Sequence, residues 1–234
     1  MNSRLLAPIL VVFLCLAGCV VAALDPRLKS IDTLPMYGGL DRQSVPELKK
    51  GDAAFIESVS SAFGGRERAA KKWVDQGFAF YSRDDLDMAM RRFNQAWLLN
   101  DKNPEVYWGF AAVLHDRGLM FGAYNMNKRA YDLGFRDAGF LADLGRVATL
   151  RIVEDKALSA EQKAAFIAES ESYYEEALKR GEKLGYVYDS WSSAKYWRGD
   201  YTVAWEKVKL ARANGSTVND RFIAMLKAKM PEPK

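Results

Sequence analysis

The sequence predicts an all-α fold: a superhelix, or solenoid, of about four helix-pair repeats, with one helix before the array and a capping helix after it. Apolar residues recur at spacings of three and four, as they do on one face of a helix. The chain also resembles itself at a step of 34 residues, where Trp73 meets Tyr107 and Gly77 meets Ala111. Small residues fall on small ones and large apolar residues on large ones, which is typical of stacked supersecondary units.

Composition fits a soluble repeat array. Of the 234 residues, 49% are hydrophobic and 12% aromatic, enough for a core, and 27% are charged. The net charge of +4 comes from interspersed acidic and basic residues. Nucleic-acid binders concentrate their basic residues on one face. We therefore expect no nucleic-acid partner.

The first 18 residues have the pattern of an export signal. Arg4 precedes an apolar run that starts at Leu5 and ends at Cys19, after Leu16, Ala17 and Gly18. This ending resembles the lipobox of bacterial lipoproteins. The resemblance implies that residues 1–18 are removed and that the Cys19 thiol carries a diacylglycerol, with palmitate-type acyl chains anchoring the chain to a membrane.

Two other interpretations of this segment stay open. Val21 to Ala23 has the small residues of an ordinary secretory cleavage site, and Leu5 to Leu24 is long enough to span a bilayer uncleaved. Cysteine usage favours the lipobox, because Cys15 lies in the part that would be removed and the mature chain keeps only an acylated Cys19. The lipoprotein resemblance, with Val20 rather than Asp after the cysteine, implies an outer-membrane anchor facing the periplasm.

Residues 19–50 have the composition of a tether. Three prolines interrupt this segment: Pro26, Pro35 and Pro46. We expect extended or irregular structure, with one short helix starting near Ser44. Asp52 is predicted to cap a further helix within residues 51–69, which would cover the open end of the array.

The repeated units resemble the tetratricopeptide repeat (TPR), which has aromatic residues at positions 4 and 24 and small residues at positions 8, 20 and 27. The first unit, 70–103, matches with Trp73, Gly77, Phe80, Ala89, Phe93 and Ala96. The second, 104–137, departs only at Asn127, where an aromatic residue is expected. Asn103 followed by Pro104 predicts a capped helix start.

The third and fourth units are less regular. The third, 138–184, carries 13 residues beyond the 34-residue period, and its second helix is predicted to start late, at the capping-box spacing of Ser159 and Gln162. The fourth, 185–218, has Lys195 where a large apolar residue is expected. Residues 219–234 form the predicted capping helix and tail.

The TPR resemblance implies a concave groove lined by the first helix of each unit. The candidate protein-binding residues are Phe78, Tyr81, Trp108, His115, Arg146, Tyr186, Asp189, Tyr196 and Trp197. The alternative is that some of them pack against the N-terminal helix or the tether. Val74 and Phe78 stand where relatives that clamp a carboxyl terminus have Lys and Asn, so we do not expect that mode of binding.

Catalytic motifs are missing from the sequence. His115 is the only histidine, and the sequence has no Gly-rich phosphate loop or nucleophile elbow. We therefore expect no catalytic residue, no metal site and no cofactor. The enzyme alternative rests on four carboxylates near the insertion: Glu154, Asp155, Glu161 and Glu169.

The expected function is that of a lipid-anchored envelope adaptor or scaffold, which binds a periplasmic or envelope protein or peptide and assists assembly of an envelope machine. The alternative is a structural or glycan-binding lipoprotein whose aromatic residues stack on cell-wall sugars. Basic residues on the second helices, such as Arg91 and Lys128, form solvated faces; contact of this face with anionic lipid or wall polymer is the other interpretation.

Overall fold

A computed structural model describes residues 30–234, and its regular structure is entirely helical, with ten α-helices after three short 3₁₀ segments. The prediction of an all-α superhelix of helix pairs is confirmed. The predicted signal segment, Cys15 and Cys19 lie outside the described residues. Among those residues, no helix combines the length and the apolar character that crossing a bilayer requires.

The helices follow one another through short connections. Their bounds are α1 Pro46–Phe63, α2 Arg66–Tyr81, α3 Leu86–Leu99, α4 Pro104–Asp116, α5 Met120–Asp132, α6 Ala138–Glu154, α7 Ala160–Lys179, α8 Leu184–Trp197, α9 Tyr201–Ala213 and α10 Asp220–Lys229. Four pairs pack tightly, α2 with α3, α4 with α5, α6 with α7 and α8 with α9, while α1 packs on α2 and α10 on α9. Short turns between such helices make antiparallel neighbours.

Two predicted helix starts agree with the structure. The Asn103 side chain accepts a hydrogen bond from the backbone N–H of Glu105, with Pro104 in the first turn of α4. Ser159 and Gln162 form the predicted capping box at the start of α7. Gly118, in the turn between α4 and α5, has a φ of 72°, which a side chain would disfavour.

The insertion in the third unit lengthens helices rather than adding a long loop. Helix α6 has 17 residues and α7 has 20, against 13 in each of α4 and α5. The first helix of this unit therefore extends to Glu154. The core continues through this longer pair, since one cluster of buried apolar residues extends from α2 to α8.

Residues 30–44 belong to the segment predicted to be extended or irregular, and the structure shows that they are irregular but docked on the helices. These residues, which we call the strap, fold into 3₁₀ turns at Ile31–Thr33, Pro35–Gly39 and Arg42–Ser44. The first two turns pack on α3 and the third packs on α1. The fully buried Asn94 holds the strap, because its Nδ2 donates to the carbonyl oxygens of Asp32 and Leu34, both at 2.8 Å. The composition of the strap gave no signal of this docking.

The predicted capping role of Asp52 is wrong. Helix α1 begins six residues earlier, at Pro46, so Asp52 lies inside it. The Asp52 carboxylate is buried and accepts two hydrogen bonds from the Arg42 guanidinium, at 2.8 and 2.5 Å. The residue joins the strap to α1, and the two helices that were predicted separately form one.

Candidate binding site

The face formed by the first helices of the four pairs, α2, α4, α6 and α8, contains a cavity of about 220 Å³, which we call the first-helix cavity. Six predicted groove residues line it: Phe78, Tyr81, Trp108, His115, Arg146 and Tyr186. The remaining lining residues are Ala111, Ala112, Asn127, Asp143 and Val147. Side chains that are far apart in the sequence thus converge on one site.

The other three predicted groove residues lie elsewhere. Tyr196 packs edge-on against Phe222 of α10, with ring centroids 5.7 Å apart, and Trp197 beside it is 43% exposed. The Asp189 carboxylate accepts a hydrogen bond from the Ser216 hydroxyl at 3.1 Å, and burial raises the pKa of this carboxyl. In the last pair, Tyr196 and Asp189 contact the C-terminal segment instead of lining the cavity.

Asp143 organises the polar side of the cavity. Its carboxylate accepts hydrogen bonds from Trp108 Nε1 at 3.0 Å, from Arg146 Nη2 at 2.9 Å and from the Tyr186 hydroxyl. Burial alone would lower the pKa of Arg146, but the charge of Asp143 outweighs it and raises that pKa. Burial and Asp143 together raise the pKa of Tyr186, which is a neutral donor at physiological pH. One carboxylate therefore joins α4, α6 and α8.

A second polar group lies at the α2 side. His115 Nδ1 and Asp116 Oδ1 are 2.7 Å apart, and the same carboxylate lies near enough to Tyr81 to affect the pKa of its hydroxyl. The hydrogen bond with His115 is the main cause that lowers the pKa of Asp116. Burial raises the pKa of Tyr81, with Asp116 adding to the effect. Asp116 is therefore ionised and Tyr81 neutral near pH 7.

Aromatic rings build the apolar wall. The Trp108 ring lies between Phe78, at a centroid distance of 5.0 Å, and Phe135 and Phe140, at 5.6 and 6.3 Å. Tilted and edge-on pairs of this kind are favourable beyond the area that they bury. Trp108 is thus fixed on both sides, by its ring contacts and by its hydrogen bond to Asp143.

Sequence reasoning missed two functional candidates, Asp143 and Asn127. Asn127 lines the cavity from α5, is only 2% exposed, and its Oδ1 has no hydrogen-bond partner. Nε of Arg146, which lines the same cavity, is also buried without a partner. The sequence did contain a signal for Asn127, because this residue is the single departure of its unit from the repeat pattern. Unsatisfied buried polar atoms are rare in folded proteins.

The chemistry of the cavity suits binding. His115 and Asp116 form a base with an orienting carboxylate, but the described residues that line the cavity include no Ser, Thr or Cys as a nucleophile. In residues 30–234, no group of three or more His, Cys, Asp or Glu is placed to hold a metal ion. Of the carboxylates in the enzyme alternative, Glu154 and Glu161 are exposed, whereas Glu169 accepts hydrogen bonds from Tyr124 and Tyr173.

Comparisons with models of known protein families and with curated protein sequences give no match to this chain. The evidence for its function lies in its own residues and their geometry.

Proposed function

We propose that this chain is a lipid-anchored adaptor of the tetratricopeptide type that binds a partner protein or peptide in the first-helix cavity. The observation that carries the proposal is the convergence of six residues from α2, α4, α6 and α8 on one cavity, since these helices supply the binding face in repeat arrays of this kind. The anchor is Cys19, and we place the protein at the outer membrane, facing the periplasm.

A protein partner fits the composition of the cavity. Tyr, Trp and Arg are the residue types that dominate binding energy in protein interfaces, and Tyr81, Trp108, Arg146 and Tyr186 all line this site. Tyr186 is 42% exposed although its hydroxyl is fixed on Asp143, so its ring is available to a partner at little entropic cost. The Trp108 ring already packs against Phe78 and Phe135. It is therefore less suited to stacking flat on a sugar.

Site-specific photo-crosslinking in intact cells tests the proposal. A photoreactive residue replaces Ala112, which lines the cavity, and in a matched strain replaces Phe121, which is 59% exposed and does not line it. We expect a discrete adduct from position 112 that is lost when Tyr186→Ala is added, and none from position 121. The same diffuse adducts from both positions would contradict the proposal. Retention on isolated wall material, abolished by Trp197→Ala but not by Tyr186→Ala, would favour the glycan-binding alternative.

A further inference from the structure

The first-helix cavity lies where the array lacks an aromatic ring. The same position of the four second helices is occupied by Phe93, Asn127, Tyr174 and Val208, and all four are buried. In the first pair, the Phe93 ring fills the space between α2 and α4, where it touches the sites of Gly77 and Gly109 so closely that a Cβ at either would overlap it. Asn127 is the counterpart of Phe93 in the second pair, and it has no ring.

The third pair fills the equivalent space. The Tyr174 ring lies against Gly145 of α6 and stacks on Trp191 of α8, with centroids 5.1 Å apart and planes at 6°. Its hydroxyl donates to the carbonyl oxygen of Ser190 at 3.1 Å. The first helices on either side of a filled space make more close backbone contacts, α2 with α4 and α6 with α8, than α4 and α6 do across the cavity. The gap between α4 and α6 is therefore a ring-sized vacancy in a repeated packing scheme.

We propose that a tyrosine side chain of the partner inserts into this gap and supplies the missing ring. The inference rests on the proposed function, because it assigns the chemistry of the partner at the same cavity. The phenol O–H donates to Asn127 Oδ1, and the phenol oxygen accepts from Arg146 Nε; both are buried polar atoms without a hydrogen-bond partner, and both belong to residues that line the cavity. The ring lies against Trp108 and Phe78.

Size and polarity select this occupant. A cavity of about 150 Å³ accommodates benzene, so 220 Å³ has room for a ring with a polar substituent. A phenylalanine would leave Asn127 Oδ1 and Arg146 Nε unsatisfied, and an indole can donate but not accept. The charges of Asp143 and Asp116 disfavour a carboxylate, and that of Arg146 disfavours an ammonium group. Phenol is the neutral group that satisfies both free atoms.

Nuclear magnetic resonance of the ¹⁵N-labelled exported chain tests the pocket with p-cresol, the tyrosine side-chain analogue, and with toluene, which has the same ring and methyl group but no hydroxyl. We expect saturable shifts of the Asn127 side-chain amide and of the Ala111 and Ala112 backbone amides. The affinity for p-cresol should exceed that for toluene by about tenfold or more, because the phenol hydroxyl makes two hydrogen bonds that toluene lacks. Equal affinities, or no saturable shift because the cavity holds water only, would overturn the proposal.

Two substitutions locate the site. Asn127→Phe supplies the ring that Phe93 supplies in the first pair, and we expect it to abolish binding of both probes. Asn127→Leu keeps the branched shape of the side chain and removes the acceptor but not the Arg146 donor, so p-cresol affinity should fall severalfold toward that of toluene. If the Asn127→Phe variant fails to fold, the p-cresol affinity of the Asn127→Leu variant is sufficient to test the assigned position. Asn214→Leu, at an exposed site outside the cavity, is the matched control and should bind p-cresol as the unmodified chain does. Unchanged p-cresol binding in both Asn127 variants would exclude the assigned position.

Crosslinking through position 112 separates this inference from the proposed function. If Asn127→Phe abolishes the adduct and replacement of a single tyrosine in the captured partner does the same, the inference is supported. If Tyr186→Ala abolishes the adduct but Asn127→Phe does not, the adaptor function stands and the tyrosine pocket is wrong. If no adduct forms but p-cresol binds as described, the adaptor function fails and the phenol pocket stands.

Discussion

Gly109 on α4 lies directly against the ring of Phe93 on α3, so that a Cβ at position 109 would overlap three ring carbons. The Phe93 ring is fully buried and also touches Gly77, which leaves it no free direction in which to move. We predict that Gly109→Ala lowers the free energy of unfolding by about 1–3 kcal/mol, the usual effect of overpacking a filled core. Urea denaturation followed by circular dichroism measures the change.

Gly51→Ala is the matched control for this prediction. Gly51 lies within α1, is exposed, and a Cβ there would meet no atom within 4 Å. Alanine is the better helix former, so we expect this variant to gain roughly 0.5–1 kcal/mol. A Gly109→Ala variant that gained stability as Gly51→Ala does would show that α3 and α4 are not packed as described.

The buried Asn94 side chain holds the strap on α3, which leads to a second prediction. Asn94→Ala removes two donors, leaves the carbonyl oxygens of Asp32 and Leu34 without their partner, and should cost about 1–3 kcal/mol. Amide hydrogen exchange should accelerate in residues 30–44 more than in the helix pairs. Asn214→Ala removes one exposed hydrogen bond, to the Leu210 carbonyl oxygen at the end of α9, so it should cost less stability and leave exchange in the strap unaltered. Unaltered exchange in the strap would argue against its docking through Asn94.

Local signals in the sequence were enough to predict the helix pairs. Asn103 and Ser159 mark helix starts because a capping side chain acts on backbone N–H groups two or three residues away. The same local signal gave a wrong prediction for Asp52. Its residue type and position are those of a helix cap, but its carboxylate binds Arg42 of the strap instead. Such a contact depends on how the strap packs against α1, and no short pattern encodes it.

The sequence predicted only part of the candidate site. Tyr81, Trp108 and Tyr186 were found because the repeat pattern places these positions on the first-helix face. Tyr196 occupies an equivalent position, but it packs against Phe222 because the last pair has no following repeat and α10 takes that place. Asn127 was visible only as an exception to the pattern, and its meaning required knowledge of the space around it.

The proposed lipid attachment at Cys19 leads to a third prediction. Metabolic labelling of cells with radioactive palmitate should label the mature protein. Cys19→Ala should abolish the label and leave an unprocessed precursor that still contains residues 1–18. Cys15→Ala is the matched control, since Cys15 precedes the lipobox and should be dispensable. Label that survives Cys19→Ala, or that depends on Cys15, would contradict the assignment of the anchor.

Glu171 on α7 gives a prediction for the pH dependence of stability. Its carboxylate accepts hydrogen bonds from Lys195 at 2.9 Å and from Arg198 at 2.5 Å. Burial alone would raise the pKa of Glu171, but these two cations outweigh it and hold that pKa below its ordinary value of 4.5. Because the folded-state pKa is the lower one, the stabilisation is complete above pH 4.5 and is lost as the pH falls through the folded-state value.

We therefore expect Glu171→Gln to lower the free energy of unfolding near pH 7 by about 1–3 kcal/mol, because Arg198, whose side chain is only 6% exposed, loses its charged acceptor. As the pH falls below 4.5, the difference between the two proteins should shrink, since the unmodified chain loses the same interaction by protonation. Urea denaturation between about pH 3 and pH 7 measures both curves, a range that spans the usual titration of Glu. Glu175→Gln, at an exposed site on the same helix, should follow the unmodified chain throughout. Curves for Glu171→Gln and the unmodified chain that stay parallel down to the lowest pH would mean that Glu171 does not stabilise the fold through its charge.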